Sequence, residues 1–184
     1  MRAGVRLGAA TLILVLWGTA IMADQRDPRL APLFDRLRST DDPREASVVE
    51  QFIWELWTLS GDEKLDALMT RGLRALNDGN QRAALAAFDA LVEAAPDFAE
   101  GWNKRATVHW LLGNLDESVD DIAATLSLEP RHFGALSGLA MIREAQGRAF
   151  EAMEALEKVR VIHPNLPQLA NRIQQLMDKF GQAV

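Results

Sequence analysis

The chain has no cysteine and no tyrosine, and four lysines against sixteen arginines. Without cysteine there is no disulfide, no thiolate metal site and no cysteine nucleophile. The β-branched and aromatic runs that strands need are scarce, whereas Ala, Leu, Glu and Arg are abundant, so the composition points to an all-α fold. Positive charge is in short supply as well. The 184 residues carry a net charge of -6, and since the first 23 hold two arginines and no acid, the remainder carries -8. Such a surface argues against phosphate binding, and no nucleic-acid partner is expected.

An apolar stretch of membrane-spanning length, about 20 residues, is also missing. The uncharged run at residues 7–22 is sixteen long, follows Arg2 and Arg6, and ends just before Asp24, Arg26 and Asp27. That is the pattern of an export signal. Cleavage after Ala23 would put Ile21 three residues back, and cleavage after Ala20 would put Gly18 there; neither is Ala-x-Ala. Two readings follow: a cleaved signal peptide, or an uncleaved anchor tethering the protein to the membrane through residues 1–23. Either leaves the rest outside the cytoplasm, and the expected location is the periplasm of a Gram-negative bacterium.

What the chain does have is a spacing of 34. Pro96, Pro130 and Pro164 recur at that interval, and so do Gly79, Gly113 and Gly147. A fixed period of this length marks an array of helix-turn-helix units. Three units follow, at residues 65–98, 99–132 and 133–166, within an array spanning 62–166. In each, glycine ends the first helix and proline stops the second. Asp97 with Glu100 and Asn114 with Glu117 are the expected caps of the middle unit.

Residues 24–61 read as a linker and a helical hairpin. Asp27-Pro28 opens its first helix, with Leu30, Leu33, Phe34 and Leu37 on one face; Asp42-Pro43 opens the second, with Glu45 as a capping-box partner. Val49, Phe52, Ile53, Leu56 and Trp57 share a side there, and Trp54 sits on its shoulder. The hairpin is expected to be a degenerate leading repeat that covers the first apolar face of the array. Residues 167–184 supply a capping helix and tail, with Leu169, Ile173, Leu176, Met177 and Phe180 inward.

The repeated residues resemble the tetratricopeptide repeat family. The middle unit shows Trp102, Ala106, Gly113, Ser118, Ile122 and Pro130; the first shows Leu68, Gly72, Gly79, Ala84, Phe88 and Pro96; the third shows Leu136, Ala140, Gly147, Ala152, Leu156 and Pro164. The tyrosine usual in the first helix is replaced by Ala75, His109 and Arg143. The resemblance implies a right-handed solenoid of three repeats whose first helices line a concave groove. Groove-facing places are then Asp66, Met69, Thr70, Leu73 and Leu76, next Glu100, Asn103, Lys104, Thr107 and Trp110, and last Gly134, Ser137, Gly138, Met141 and Glu144. Of these, Asn103, Lys104, Thr107, Trp110, Ser137 and Met141 are the candidate partner-binding residues. The apolar ones have an equal claim to be core. Some family members hold a partner's terminal carboxylate with a basic clamp; its places here are Met69, Leu73, Lys104, Gly134 and Gly138, so recognition of an acidic tail is not expected.

Chemistry is absent from the pattern. His109, His132 and His163 sit in separate units with no metal-ligand spacing, and His163 is expected to be exposed or to cap a helix end. Asp120-Asp121 reads as a solvated helix face, and Arg131-His132-Phe133 at the junction of units as an exposed contact candidate with an equal claim to a structural role. No cofactor, metal or catalytic set is expected. The function expected is a non-catalytic adaptor or scaffold of the bacterial envelope that binds a peptide or helix of another protein on its concave surface, with the oligomeric state open. The alternative is a structural subunit of a membrane-anchored complex that uses the hairpin with Trp54 and Trp57 and leaves the groove empty.

Overall fold

The computed structural model describes residues 24–181, and among these it has nine α-helices and no strand. The apolar run at residues 7–22 and the side chain of Phe180 lie outside the described residues. Three helical pairs form the expected solenoid: α3 (Glu63–Asn77) with α4 (Gln81–Ala94), α5 (Ala99–Leu112) with α6 (Leu115–Leu128), and α7 (Phe133–Ala145) with α8 (Ala149–Ile162). The marker glycines turn each pair. Gly79, Gly113 and Gly147 have φ of +68°, +81° and +73°, the left-handed region that side chains resist. After α8, α9 (Leu169–Gly181) closes the stack with Leu169, Ile173 and Leu176 buried, while Met177 faces outward. No helix among the described residues is long and apolar enough to cross a membrane.

The N-terminal hairpin, α1 (Leu30–Ser39) and α2 (Pro43–Thr58), does not cover the first unit as a leading repeat would. It is a strap along one edge of the array, packed on α5 and α8. At its start the Gln25 amide donates to Asp97 O at 2.6 Å and its carbonyl accepts from Ala99 N at 3.2 Å, at the junction of units one and two. Midway, the Arg131 guanidinium lies 4.2 Å over the Phe34 ring. At the far end Asn165 donates to Thr40 O at 2.7 Å, at the close of unit three. From there α2 returns along the same edge. The physical reason for this docking is the chemistry of the two faces. Unit one packs against α5 of unit two, with Met69, Phe88, Phe98 and Val108 in one cluster, while the aromatic face of the strap joins Phe133, Leu136, Leu156 and the α9 leucines in another.

Several local expectations change with it. Asp27 does not start a helix: its carboxylate accepts from Arg29 N at 2.8 Å and pairs with the Arg29 guanidinium, closing a turn that delays α1 to Leu30. Asp42 does cap α2, but Glu45 turns away to Arg36 and Thr40 rather than completing a box. Neither Asn114 nor Asp97 caps its helix with a side chain. Asp97 is taken by Arg26 at 2.8 Å. Asp121 is buried rather than solvated, held by Arg105 at 2.7 Å. Phe52 is exposed, whereas Val49, Ile53, Leu56 and Trp57 are buried.

Burying Leu30, Phe34, Leu37, Ile53 and Trp57 at roughly 1.5–3 kcal/mol each gives the strap a gross hold on the order of 10 kcal/mol. It is a part of the core, not a displaceable latch. Small residues set the packing elsewhere: a Cβ on Gly72 would lie 2.5 Å from the Phe88 ring, whereas one on Gly138 would meet nothing closer than Ile122 Cδ1 at 3.6 Å. Gly72→Ala should therefore destabilise the fold by about 1–3 kcal/mol, and Gly138→Ala should leave it unchanged or stabilise it by up to ~1 kcal/mol; urea unfolding of the two variants checks the contrast.

Candidate functional site

Glu100 is the point where strap and array meet. It sits in the first turn of α5, where the helix dipole favours a negative charge, yet it is 1% exposed. Burying a carboxylate is costly unless it is paired. Lys104, one turn on, brings Nζ to 2.9 Å from Oε1, an ion pair off the hydrogen-bond axis. The other oxygen receives His132 Nε2 at 2.8 Å and Asn103 Nδ2 at 3.0 Å. Burial alone would push the Glu100 carboxyl up, but Lys104 and His132 outweigh it and hold it below the usual glutamate range. His132 has its own orientation fixed, because Nδ1 accepts from Ala135 N at 3.1 Å and so the ring proton is on Nε2, toward Glu100.

The strap seals this cluster. Trp57 stacks on His132 with ring centroids 4.1 Å apart and planes 10° from parallel. Trp54 meets the His132 and Phe133 rings edge-on and lies under the Lys104 ammonium, 5.1 Å from its ring centroid. It also closes over Gly134, where a Cβ would come within 2.5 Å of its ring. His163 is buried too, with Nε2 3.2 Å from Glu50 Oε2, which corrects the expected exposed position. The junction Arg131-His132-Phe133 is likewise inside the protein at His132 and Phe133.

Beside the cluster a cavity of about 260 Å³ opens between α5 and α7. Asn103, Thr107, Trp110, Ser137 and Met141 all line it, together with Ala106, Ser118, Ile122, Gly134, Gly138 and Ile142. Five of the six candidate residues are thus brought together. Lys104 is not among them, because its ammonium is drawn to Glu100 and Trp54. A second, smaller hollow shares Ser137 and Met141 and continues toward Leu169 and Arg172 of α9. At the other end of the array Met69 does not line a groove, because it is buried in the cluster of unit one. Sequence reasoning missed Glu100, His132, Trp54 and Trp57 as the support of the cavity. The available signal was the Glu100–Lys104 spacing of one helical turn and the density of aromatics in α2. Among the described residues no group of histidines and acids is arranged to hold a metal ion.

These helical pairs, their glycine turns and their proline stops define a tetratricopeptide repeat protein, and the chain belongs to that family. The family's sequence profile, Tetratricopeptide repeat, matches residues 69–126 and 113–167. A tetratricopeptide-repeat-containing protein of Rhizobium etli is 36% identical over 153 residues, 83% of this chain and 75% of that protein. Among solved structures, the first tetratricopeptide domain of Spaghetti (RPAP3), bound to the HSP90 peptide SRMEEVD, superposes with a TM-score of 0.62 at 19% identity, covering 65% of this chain and 94% of that one. The Yersinia enterocolitica type III secretion chaperone SycD, in complex with a peptide of the translocator YopD, gives a TM-score of 0.60 at 14% identity over 66% of this chain and 95% of that one. At these identities the two structures speak for the fold.

The folded-state carboxyl of Glu100 lies below its ordinary value of 4.5. Its contribution to stability is therefore complete above that pH and fades as the pH falls through the lower, folded value. Glu100→Gln should cost about 1–3 kcal/mol at pH 7 and show a shallower loss of stability on acidification than the unmodified protein; urea midpoints measured from pH 7 down to pH 3 test both statements.

Proposed function

We propose that the protein is a non-catalytic adaptor or scaffold of the bacterial envelope, and that it holds a peptide or helix of a partner protein in the cavity between α5 and α7. The observation that carries this reading is the cavity itself. Protein interiors pack nearly without voids, and here an open apolar hollow of about 260 Å³ lies over the cluster of Ala106, Ile122, Ala135 and Ile142 between units two and three. The bound peptides of the Spaghetti (RPAP3) and SycD structures support a peptide as occupant. An acidic tail like SRMEEVD does not suit this groove: Met69 is buried, the Lys104 charge is bound to Glu100, and Trp54 sits over Gly134. Export rests on Arg2, Arg6 and the uncharged run at residues 7–22, and the same run, if uncut, is the tether.

A second reading places the contact on the strap and leaves the groove empty. It is favoured by the apolar side chains that the strap turns outward, with Val48, Phe52 and Leu59 each about half exposed. Trp54 and Trp57, the residues first suggested for this contact, face the array instead. Selection of binders from a displayed peptide library separates the readings. Peptides taken up by the protein should lose about tenfold or more in affinity for Gly138→Leu, whose side chain grows into the cavity, and bind Phe52→Asp unchanged. The opposite pattern removes the groove reading in favour of the strap.

A further inference from the structure

The cavity offers its occupant little polarity, and almost all of it is of one kind. Thr107, Ser118 and Ser137 each donate their hydroxyl proton to a backbone carbonyl: Asn103 O at 3.0 Å, Ala106 O at 2.8 Å and Phe133 O at 2.8 Å. A hydroxyl has one proton, so what these groups retain for a ligand is acceptor capacity. Asn103 is constrained in the same sense. Its Nδ2 donates to Glu100 Oε2, and a carboxylate has nothing to donate in return, so the amide cannot be reversed, and Oδ1 is left over as an acceptor beside the second Nδ2 hydrogen. That oxygen takes no hydrogen bond from the described residues and stays accessible, although Asn103 as a whole is 7% exposed. Among the lining side chains the donors without a partner in the described residues are the indole N–H of Trp110 and the second Nδ2 hydrogen of Asn103, and no charged side chain lines the space.

Size and wall chemistry narrow the occupant further. At about 260 Å³ the hollow falls below the ~300–1,000 Å³ of small-molecule sites and suits a single large side chain. Its walls include Trp110, Ile122 and Met141, which offer an aromatic surface and a polarizable thioether. An aliphatic anchor would fill the space and strand the Asn103 oxygen without a donor. A carboxylate would meet oxygen lone pairs, and an ammonium would lose its hydration where no counter-charge awaits it. Of the large uncharged side chains, tryptophan alone carries a polar atom that donates and does not accept.

We propose that the cavity is an indole socket: it receives the side chain of a tryptophan on the partner protein, the ring against Trp110 and Met141 and the ring N–H donated to Asn103 Oδ1. The proposal rests on the groove as the binding face and adds the chemistry of what enters it. Glu100 is the positioning residue, since its carboxylate forces Asn103 to present oxygen, and His132 under Trp57 holds Glu100 in turn. The strap therefore sets the polarity of a site that it does not itself line.

Free indole tests the socket without any partner. In a 1H–15N NMR titration, indole should shift the Asn103 side-chain amide and the Gly138 and Met141 backbone signals saturably. 1-Methylindole, of nearly the same shape but lacking the N–H, and indole-3-acetate should each bind roughly tenfold more weakly or worse. Gly138→Leu, at a cavity-lining position where a Cβ meets Ile122 Cδ1 at an ordinary 3.6 Å, should abolish the shifts while the protein stays folded, and Asn103→Leu should bring indole and 1-methylindole to parity. Absence of saturable shifts with indole, equal binding of the two indoles to the unmodified protein, or shifts that survive Gly138→Leu would overturn the socket. Library peptides that lack tryptophan but are blocked by Gly138→Leu would also overturn it and leave the groove reading standing, whereas peptides indifferent to Gly138→Leu remove the groove reading itself.

Discussion

A single carboxylate buried between two parts of the chain governs the architecture. Glu100 belongs to the second repeat, but it can remain charged inside the protein only because Lys104, Asn103 and His132 surround it and the strap excludes water from them. His132 comes from the end of the same unit, where it also caps α7 through Ala135 N. Trp57 comes from the strap and lies flat on that ring. Removing any one member leaves a polar group without its partner in a low-dielectric setting, which is a larger penalty than the pairing itself repays. The cluster thus specifies where the strap must dock and which way Asn103 must point.

The consequence is a solenoid that is not uniform along its length. In a simple repeat array each unit contacts its neighbours and stability is shared along the stack. Here the strap, unit three and α9 make one hydrophobic cluster, and unit one makes another with Val108 of α5. The cavity lies between them, over a third cluster of Ala106, Ile122, Ala135 and Ile142, and the strap braces its edge where Trp54 closes on Gly134. Rigid support of this kind limits the ordering that a partner would otherwise have to bring about on binding.

The array was legible because its signals are local. Gly79, Gly113 and Gly147 must adopt positive φ, Pro96, Pro130 and Pro164 must end helices, and the small residues between them must admit neighbours such as Phe88 over Gly72. Periodicity carried that information directly, and with the resemblance to the family it placed Asn103, Thr107, Trp110, Ser137 and Met141 around one hollow. The strap was read as two helices but not as a strap. Which surface its aromatic face would cover depends on contacts between residues some 75 to 125 positions apart, such as Trp57 with His132 and Thr40 with Asn165, and no spacing rule reaches that far. The same blindness hid the role of Glu100: one turn from Lys104 it reads as a surface pair, and only tertiary packing makes it a buried one.

Native-state hydrogen exchange tests the bracing most directly. If the strap is built into the core through the Trp57–His132–Glu100 cluster, the amides of α2 between Val49 and Trp57 exchange with the same opening free energy as those of α7, in one cooperative unit, while α3 opens at lower energy. Exchange of α2 at an opening energy well below that of α7, with α7 unaffected, would contradict the account and reduce the strap to a surface ornament of the solenoid.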